Sequence, residues 1–272
     1  MTDFAKVKHY YKNYDEWNRT FIPEGRLEFD QTIDVIKKYK KASWRILDLG
    51  GGPGRYTYEL AQSGRIMSLG DISPELVSIA KEKTKGIPNI GSIQVVNAIN
   101  LECYRNEYFD AVLYMGPLYH LTDDNEIMAS LKEVYRVLKL NGTIIASFIP
   151  ILSGTASIIA RSIVTPTQVT AENLKNTITH GIFNNNAESG FQEGKYLSST
   201  QVKNMMNKSG FRTKIVRSVR GLGNKLEKGI YDKKENDKEI FNSIMEVIEK
   251  TVEDEAVINM CGHALFIGEK IA

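Results

Sequence analysis

Apolar residues recur along this chain with two spacings that alternate. In "RLEFDQTIDVIKKYK", Leu27, Ile33, Ile36 and Tyr39 fall near helical spacing, and lysines close the last turn, where the helix dipole favours cations. The apolar run "WRILDL" reads as a buried strand, and Tyr56, Leu60 and Ala61 mark a short helix beyond it. "RIMSLGD" is a second strand. "SPELVSIAKEK" follows with helix-start chemistry: Ser73 to cap, Pro74 at the first helical position, and Glu75 at the positive end of the dipole. A third strand is expected over "IQVVN", a fourth over "YFDAVLYM", and a fifth over "NGTIIASFI", entered through an Asn-Gly turn. Between the last two, "TDDNEIMASLKEVYRVLK" predicts a helix with Ile127, Leu131, Val134 and Leu138 on one face and Thr122 as its cap. Strands that alternate with helices imply right-handed crossovers and a mostly parallel sheet.

The pattern loosens afterwards. Residues 151–196 show no clear strand. "SSTQVKNMMNKSGFRTKIVRSV" reads as a capped helix ending at Gly210 and then a strand. Residues 232–259 form a long charged segment with Ile240, Ile244, Val247 and Ile248 on one stripe, and "GHALFIGEK" closes the chain's core as a last strand. The expected organisation is an N-terminal helical lid (1–40), a core (41–150), a cap insertion (151–196), more core (197–221), a second, mostly helical insertion (222–260) and a final core strand (261–272).

Composition narrows the class. Of 272 residues, 42% are hydrophobic and 25% charged, ordinary for a globular protein. A formal net charge of +2 is too mild to advertise a nucleic-acid surface. Two cysteines, Cys103 and Cys261, and four scattered histidines provide neither a disulfide framework nor metal-ligand spacing, so no metal is expected. "GTIIASFIPILSGTASIIA" (142–160) is apolar, but Pro150 and Gly154 interrupt it. It reads as a strand running into a separate amphipathic segment rather than a membrane span. Charges and aromatics in "MTDFAKVKHYYKNYDEW" leave no apolar core for a signal peptide, and a cytoplasmic location is expected.

The chemistry begins at "RILDLGGGPGRYTYEL" (45–60). Glycine loses more entropy on folding than any other residue, so glycines crowded between a strand and a helix serve a special backbone shape or a close ligand. Dinucleotide binding needs G-x-G-x-x-G; Gly50, Gly52 and Gly54 supply G-x-G-x-G, with Arg55 where the last glycine should stand. The phosphate-cradling G-x-x-x-x-G-K-[ST] pattern is missing too.

On these residues the chain resembles the class I S-adenosylmethionine-dependent methyltransferases, of small-molecule type. "LDLGGGPG" (47–54) looks like their first motif. Asp71 in "LGDISPEL" stands where the family grips the ribose, and "NAINL" (97–101) where it meets the adenine. "YFDAVLYMGPLYHL" and "LKEVYRVLKLNGTI" look like the fourth strand with its catalytic loop and the helix–turn–strand that follows. The resemblance implies an α/β, Rossmann-like fold: a seven-stranded, mostly parallel sheet with helices on both faces and an inserted cap. It also implies S-adenosyl-L-methionine as cofactor, with S-adenosyl-L-homocysteine as product. Cofactor contacts are then expected from Asp48, Gly50, Gly51, Gly52, Gly54, Asp71, Ile72, Asn97, Ala98, Met115, Gly116 and Tyr11. Asn97 departs from the family's usual aspartate, although its amide can still accept a hydrogen bond from the adenine amino group. Asp48 either touches the ligand or supports the loop from behind.

Methyl transfer is an in-line displacement in which placing the nucleophile supplies much of the acceleration, and a hydroxyl nucleophile must also lose a proton. His120, at the end of the fourth strand, is the expected base, or else a histidine that orders the cofactor's loop. Tyr119 shapes the pocket or merely packs. His263, in the last strand, reads as a satisfied sheet histidine. Tyrosines in "HYYKNYDEWNR" (9–19) resemble the N-terminal lid of small-molecule methyltransferases. Tyr11 and Tyr14 there either face the reacting groups or dock the helix. "GPLYHL" lacks the acidic or amide residue followed by two prolines with which nucleic-acid amino-methyltransferases hold a flipped base. A small-molecule acceptor methylated at oxygen or nitrogen is therefore expected. An RNA or protein methyltransferase and a non-catalytic binding protein of the same fold are the alternatives.

Overall fold

The computed structural model describes residues 2–12, 14–38, 43–184 and 193–272. Three helices come first: α1 (Phe4–Lys12), α2 (Glu16–Arg19) and α3 (Pro23–Lys38). The alternating region follows as β1 (Arg45–Leu49), α4 (Arg55–Gln62), β2 (Ile66–Asp71), α5 (Pro74–Lys83), β3 (Ile90–Val95), β4 (Phe109–Tyr114), α6 (Pro117–His120), α7 (Asp124–Val137) and β5 (Leu138–Phe148). Beyond it lie α8 (Ile151–Val164), α9 (Ala171–His180), β6 (Ile182–Asn184), β7 (Glu193–Lys195), α10 (Ser199–Lys208) and β8 (Phe211–Ser218). The chain finishes with α11 (Glu227–Asn236), α12 (Lys238–Thr251), α13 (Glu255–Met260) and β9 (Ala264–Lys270).

Seven strands form one sheet in the order β3-β2-β1-β4-β5-β9-β8. The pairs from β3 to β5 are parallel, whereas β9 runs antiparallel to both β5 and β8. Period-two alternation divides the central strands between two cores. Leu47, Leu49, Val112 and Tyr114 pack with Ile127, Leu131 and Val134 of α7 on one face. Ile46, Ala111 and Leu113 pack with Ile33 and Ile36 of α3 and Leu60 of α4 on the other. The sheet is thus covered on both sides, and its carboxyl edge, where β1, β2 and β4 end, is the place where ligands bind in such folds.

Several local expectations hold and others need correction. Ser73 caps α5 by accepting from the Leu76 N–H at 3.2 Å, with Pro74 in the first turn. The cap of α7 is Asp123 rather than Thr122: its carboxylate accepts from Asn125 and Glu126, and a charged acceptor outbids a hydroxyl at the positive helix end. Thr122 instead donates to Glu193. Residues 151–196 do contain strands, the antiparallel pair β6 and β7, each too short to show a period. The charged segment 232–259 is broken at Asp237, which caps α12 by accepting from Ile240, and again before α13. Of its stripe, Ile248 is buried against Leu27, Ile230 and Val252, while Ile240 and Val247 are exposed. Tyr39 lies outside the described residues. Among those described, no helix is long and apolar enough to cross a membrane.

Candidate active site

The cleft opens at the carboxyl edge of the sheet and encloses about 1210 Å³, its solvent-open mouth included. The glycine loop between β1 and α4 forms its floor. Gly50 has φ +75°, and a Cβ there would meet Pro117 Cδ at 2.8 Å, so its bareness serves the fold. Gly51 packs on Asp48, and Gly54, at the start of α4, packs on Ala80. Gly52 differs. It has φ +54°, and a Cβ would find its nearest neighbours only at 3.8 Å (Leu76) and 3.9 Å (Glu16), an open cradle in the cleft wall.

This contrast separates two substitutions. Gly50→Ala adds a left-handed penalty of about 1–2 kcal/mol to a clash with Pro117, so thermal unfolding should move down by several degrees. Gly52→Ala carries the backbone penalty without the clash but puts a methyl group into the cleft. Ligand affinity in a binding titration should fall roughly tenfold with a smaller loss of melting temperature. Equal affinity for the Gly52→Ala protein would mean that the loop does not touch the ligand.

Asp71 ends β2 and ties the loop in place. One oxygen accepts from the Gly52 N–H and the other from the Ser73 N–H, both at 2.9 Å. Burial pushes its carboxyl up, while the N–H bonds from Ser73, Gly52 and Ile72 pull the other way. Three N–H donors do not exhaust the four acceptor positions of the two oxygens, so the carboxylate keeps capacity for a ligand hydroxyl. Ile72, Ala98, Met115 and Gly116 stand in the cleft walls, as does Asn97, whose Oδ1 accepts from the Ile99 N–H at 3.2 Å. Asp48 and Gly54 are not among the wall residues. Asp48 is fully buried behind the loop, accepting from the Thr57 hydroxyl at 2.8 Å, the supporting position.

The N-terminal helices form the opposite wall through Phe4, Val7, Tyr11, Glu16 and Arg19. Tyr11 Oη lies 2.8 Å from His120 Nε2, so α1 is fastened to α6 across the cleft. Burial, helped by the charge of His263, lowers His120 to about 3, and the ring is neutral at pH 7. With Nε2 engaged by Tyr11 of α1, His120 suits holding that helix in place better than taking a substrate proton. Tyr119 lies between the rings of His120 (4.8 Å) and His263 (5.6 Å) and lines the cleft. Tyr14, between α1 and α2, is 40% exposed, stacks on Tyr10 and is not among the cleft-wall residues.

Some wall residues were not expected. Arg55, the residue that spoils the dinucleotide pattern, donates to Thr20 at 2.8 Å and lies over the rings of Trp17, Phe21 and Phe29, which ties α2 and α3 to the loop. Glu28 of α3 is buried in the wall beside Arg220 (2.6 Å), His263 Nδ1 (3.1 Å) and Arg19 (3.5 Å). Burial alone would raise its carboxyl; the charges of His263, Arg19 and Arg220 together outweigh that and hold it well below the usual range. His263 therefore belongs to the cleft rather than to the sheet interior. The one sequence signal was a glutamate between Leu27 and Phe29 on a helix with a buried face.

Comparison with known proteins agrees with this geometry. A family model described as a methyltransferase domain matches residues 47–146. A ubiquinone/menaquinone biosynthesis C-methyltransferase of Klebsiella pneumoniae is 31% identical over 106 residues, covering 37% of this chain and 40% of that protein. A tRNA (carboxymethyluridine(34)-5-O)-methyltransferase of Arabidopsis thaliana is 33% identical over 101 residues, covering 37% of this chain and 22% of that protein. The chain thus spans less than half the length of these curated relatives. Among solved structures, magnesium protoporphyrin IX methyltransferase of Synechocystis PCC 6803, with bound SAH, superposes with a TM-score of 0.62 at 15% identity, covering 98% of this chain and 100% of that one. A SAM-dependent methyltransferase of Methanosarcina mazei gives 0.61 at 17% identity, covering 87% and 97%. At such identities the structures speak for the fold, and the family match speaks for the loop-and-strand core. Residues 47–146 thus match a methyltransferase domain, and the fold around them is the one seen in solved SAM-dependent methyltransferases.

Proposed function

We propose that the protein transfers the methyl group of S-adenosylmethionine to an oxygen or nitrogen of a small molecule. The observation that carries this reading is the roofed cleft: an open cradle at Gly52 beside the Asp71 carboxylate, covered by α1 through the Tyr11–His120 bond. Those residues fit the cofactor. Backbone N–H groups of the loop suit its methionine carboxylate without any lysine, Asp71 suits the ribose hydroxyls, and Ile72, Asn97 and Ala98 suit the adenine. Met115, Gly116 and Tyr119 flank the space between cofactor and acceptor. When bound, S-adenosylmethionine supplies an electrophilic methyl carbon on a sulfonium. The chain's own share is to hold the acceptor in line and to exclude water beneath the lid. Helices α1 and α2 act as that lid, through Phe4, Val7, Tyr11, Glu16 and Arg19, whereas no described residue of 151–196 or 222–260 stands in the cleft wall.

RNA is the second reading, favoured by the tRNA methyltransferase among the relatives. The near-neutral charge and the covered cleft favour a small acceptor. Calorimetric titration with S-adenosylmethionine, S-adenosylhomocysteine and NADH tests the cofactor assignment. Saturable binding of the two sulfur nucleosides and none of NADH is expected. Folded protein that ignores both nucleosides would refute it. Transfer of labelled methyl from S-adenosylmethionine to bulk tRNA, but to no small acceptor, would select the second reading.

A further inference from the structure

Resting on the methyl-transfer reading above, we infer that His263, oriented by Glu28, is the general base that removes the acceptor's proton. His263 immediately precedes β9, whose Ala264 pairs with Phe148 at the carboxyl end of β5. It therefore stands at the functional edge of the sheet, beyond β4 from the glycine loop, and lines the cleft with its side chain 24% exposed. Its Nδ1 lies 3.1 Å from Glu28 Oε2. An ionised carboxylate can only accept, so Nδ1 carries a hydrogen, and in the neutral ring Nε2 then carries the lone pair. Nε2 has no hydrogen-bond partner among the described residues. Arg220 and Arg19 keep Glu28 ionised, and that charge in turn stabilises the imidazolium formed when Nε2 takes a proton.

His120 has the opposite surroundings. Its Nε2 is held by Tyr11, and the residue is only 9% exposed. The groups that face His263 are Glu28 from α3, Glu16 and Arg19 from α2, Tyr119 and His120 from α6, and Arg220 after β8. In the step itself, the acceptor's lone pair forms a bond to the methyl carbon. The carbon–sulfur bond breaks with its electron pair left on sulfur, and the acceptor's O–H or N–H proton passes to His263 Nε2. Atoms and charge balance with no further reactant.

The test uses the full chain saturated with S-adenosylmethionine. Nitrogen NMR of histidine-labelled protein should find His263 in the Nδ1–H tautomer. Diethyl pyrocarbonate should modify His263 and spare His120. An Nε2–H tautomer, or a His263 inert to the reagent, overturns the inference. With phenol, catechol and benzylamine as probe acceptors, His263→Ala should lower turnover about 100-fold and leave the KM for S-adenosylmethionine unchanged; an unaltered rate overturns it too. Failure of the wild-type protein to bind S-adenosylmethionine would instead remove the methyl-transfer reading on which the inference stands.

Discussion

Replacing Asp71 by alanine should weaken S-adenosylmethionine binding by about 100-fold. The carboxylate has two tasks. It is the acceptor expected to meet the ribose, and it already holds the loop through the Gly52 and Ser73 N–H groups. Hydrogen bonds to a charged group contribute about 1.5–3 kcal/mol each, and a loss of roughly 3 kcal/mol corresponds to two decades in affinity. Asp71→Asn should fall between wild type and alanine, since the amide keeps one acceptor oxygen and turns the other position into a donor. Burial raises this carboxyl, so cofactor affinity should begin to fall on acidification at a higher pH than an ordinary aspartate would dictate. Calorimetry at neutral pH decides the matter. An alanine variant that binds as tightly as wild type would move the ribose elsewhere.

Glu28→Ala should cost stability more than any single change in the cofactor loop. It removes the anion from a buried cluster and leaves Arg19 and Arg220 facing each other without it. Breaking a buried ion pair from one side costs about 3–5 kcal/mol, which for a chain of this size lowers the melting temperature by roughly 10 °C. Arg19 retains Glu16 at 2.8 Å and Arg220 retains Glu227 at 3.6 Å, which places the effect toward the lower end of that range. The pH dependence has a definite sign. The folded-state pKa lies below the unfolded one, so this contribution is fully present above about pH 4.5 and is lost as pH falls through the depressed folded value. The gap in melting temperature between wild type and Glu28→Gln should therefore hold at neutral pH and close in acid. A gap of the same size at pH 3 would show that packing, not charge, holds the cluster together.

The two residues show how differently a site can be written into a chain. Asp71 follows a strand and precedes a well-capped helix, so its place at the sheet edge follows from local pattern alone. The glycines are legible for the same reason: Gly50, Gly51 and Gly52 all line the cleft, although only at Gly52 would a Cβ meet open space. Glu28 and His263 are separated by 235 positions and meet only because α3 packs behind the loop while β9 inserts antiparallel beside β5. Nothing in the neighbourhood of either residue announces the other. Tyr14 fails for a related reason. Tyr11 lies within α1 and reaches His120, whereas Tyr14 follows the helix end at Lys12 and stacks on Tyr10.

By itself the sequence determined the alternation of strands and helices, the carboxyl-edge position of the loop, and the exclusion of a phosphate-binding pattern. All of these rest on spacing within a few residues, where backbone geometry and helix-end chemistry act directly. The tertiary structure alone decided which histidine faces a free cleft, which acid stands behind it, and that Asp48 supports rather than touches. Burial, charge pairing and the direction of a side chain depend on neighbours brought together from distant parts of the chain. The same imidazole is therefore a lid anchor at His120 and a base at His263 because of what packs around each.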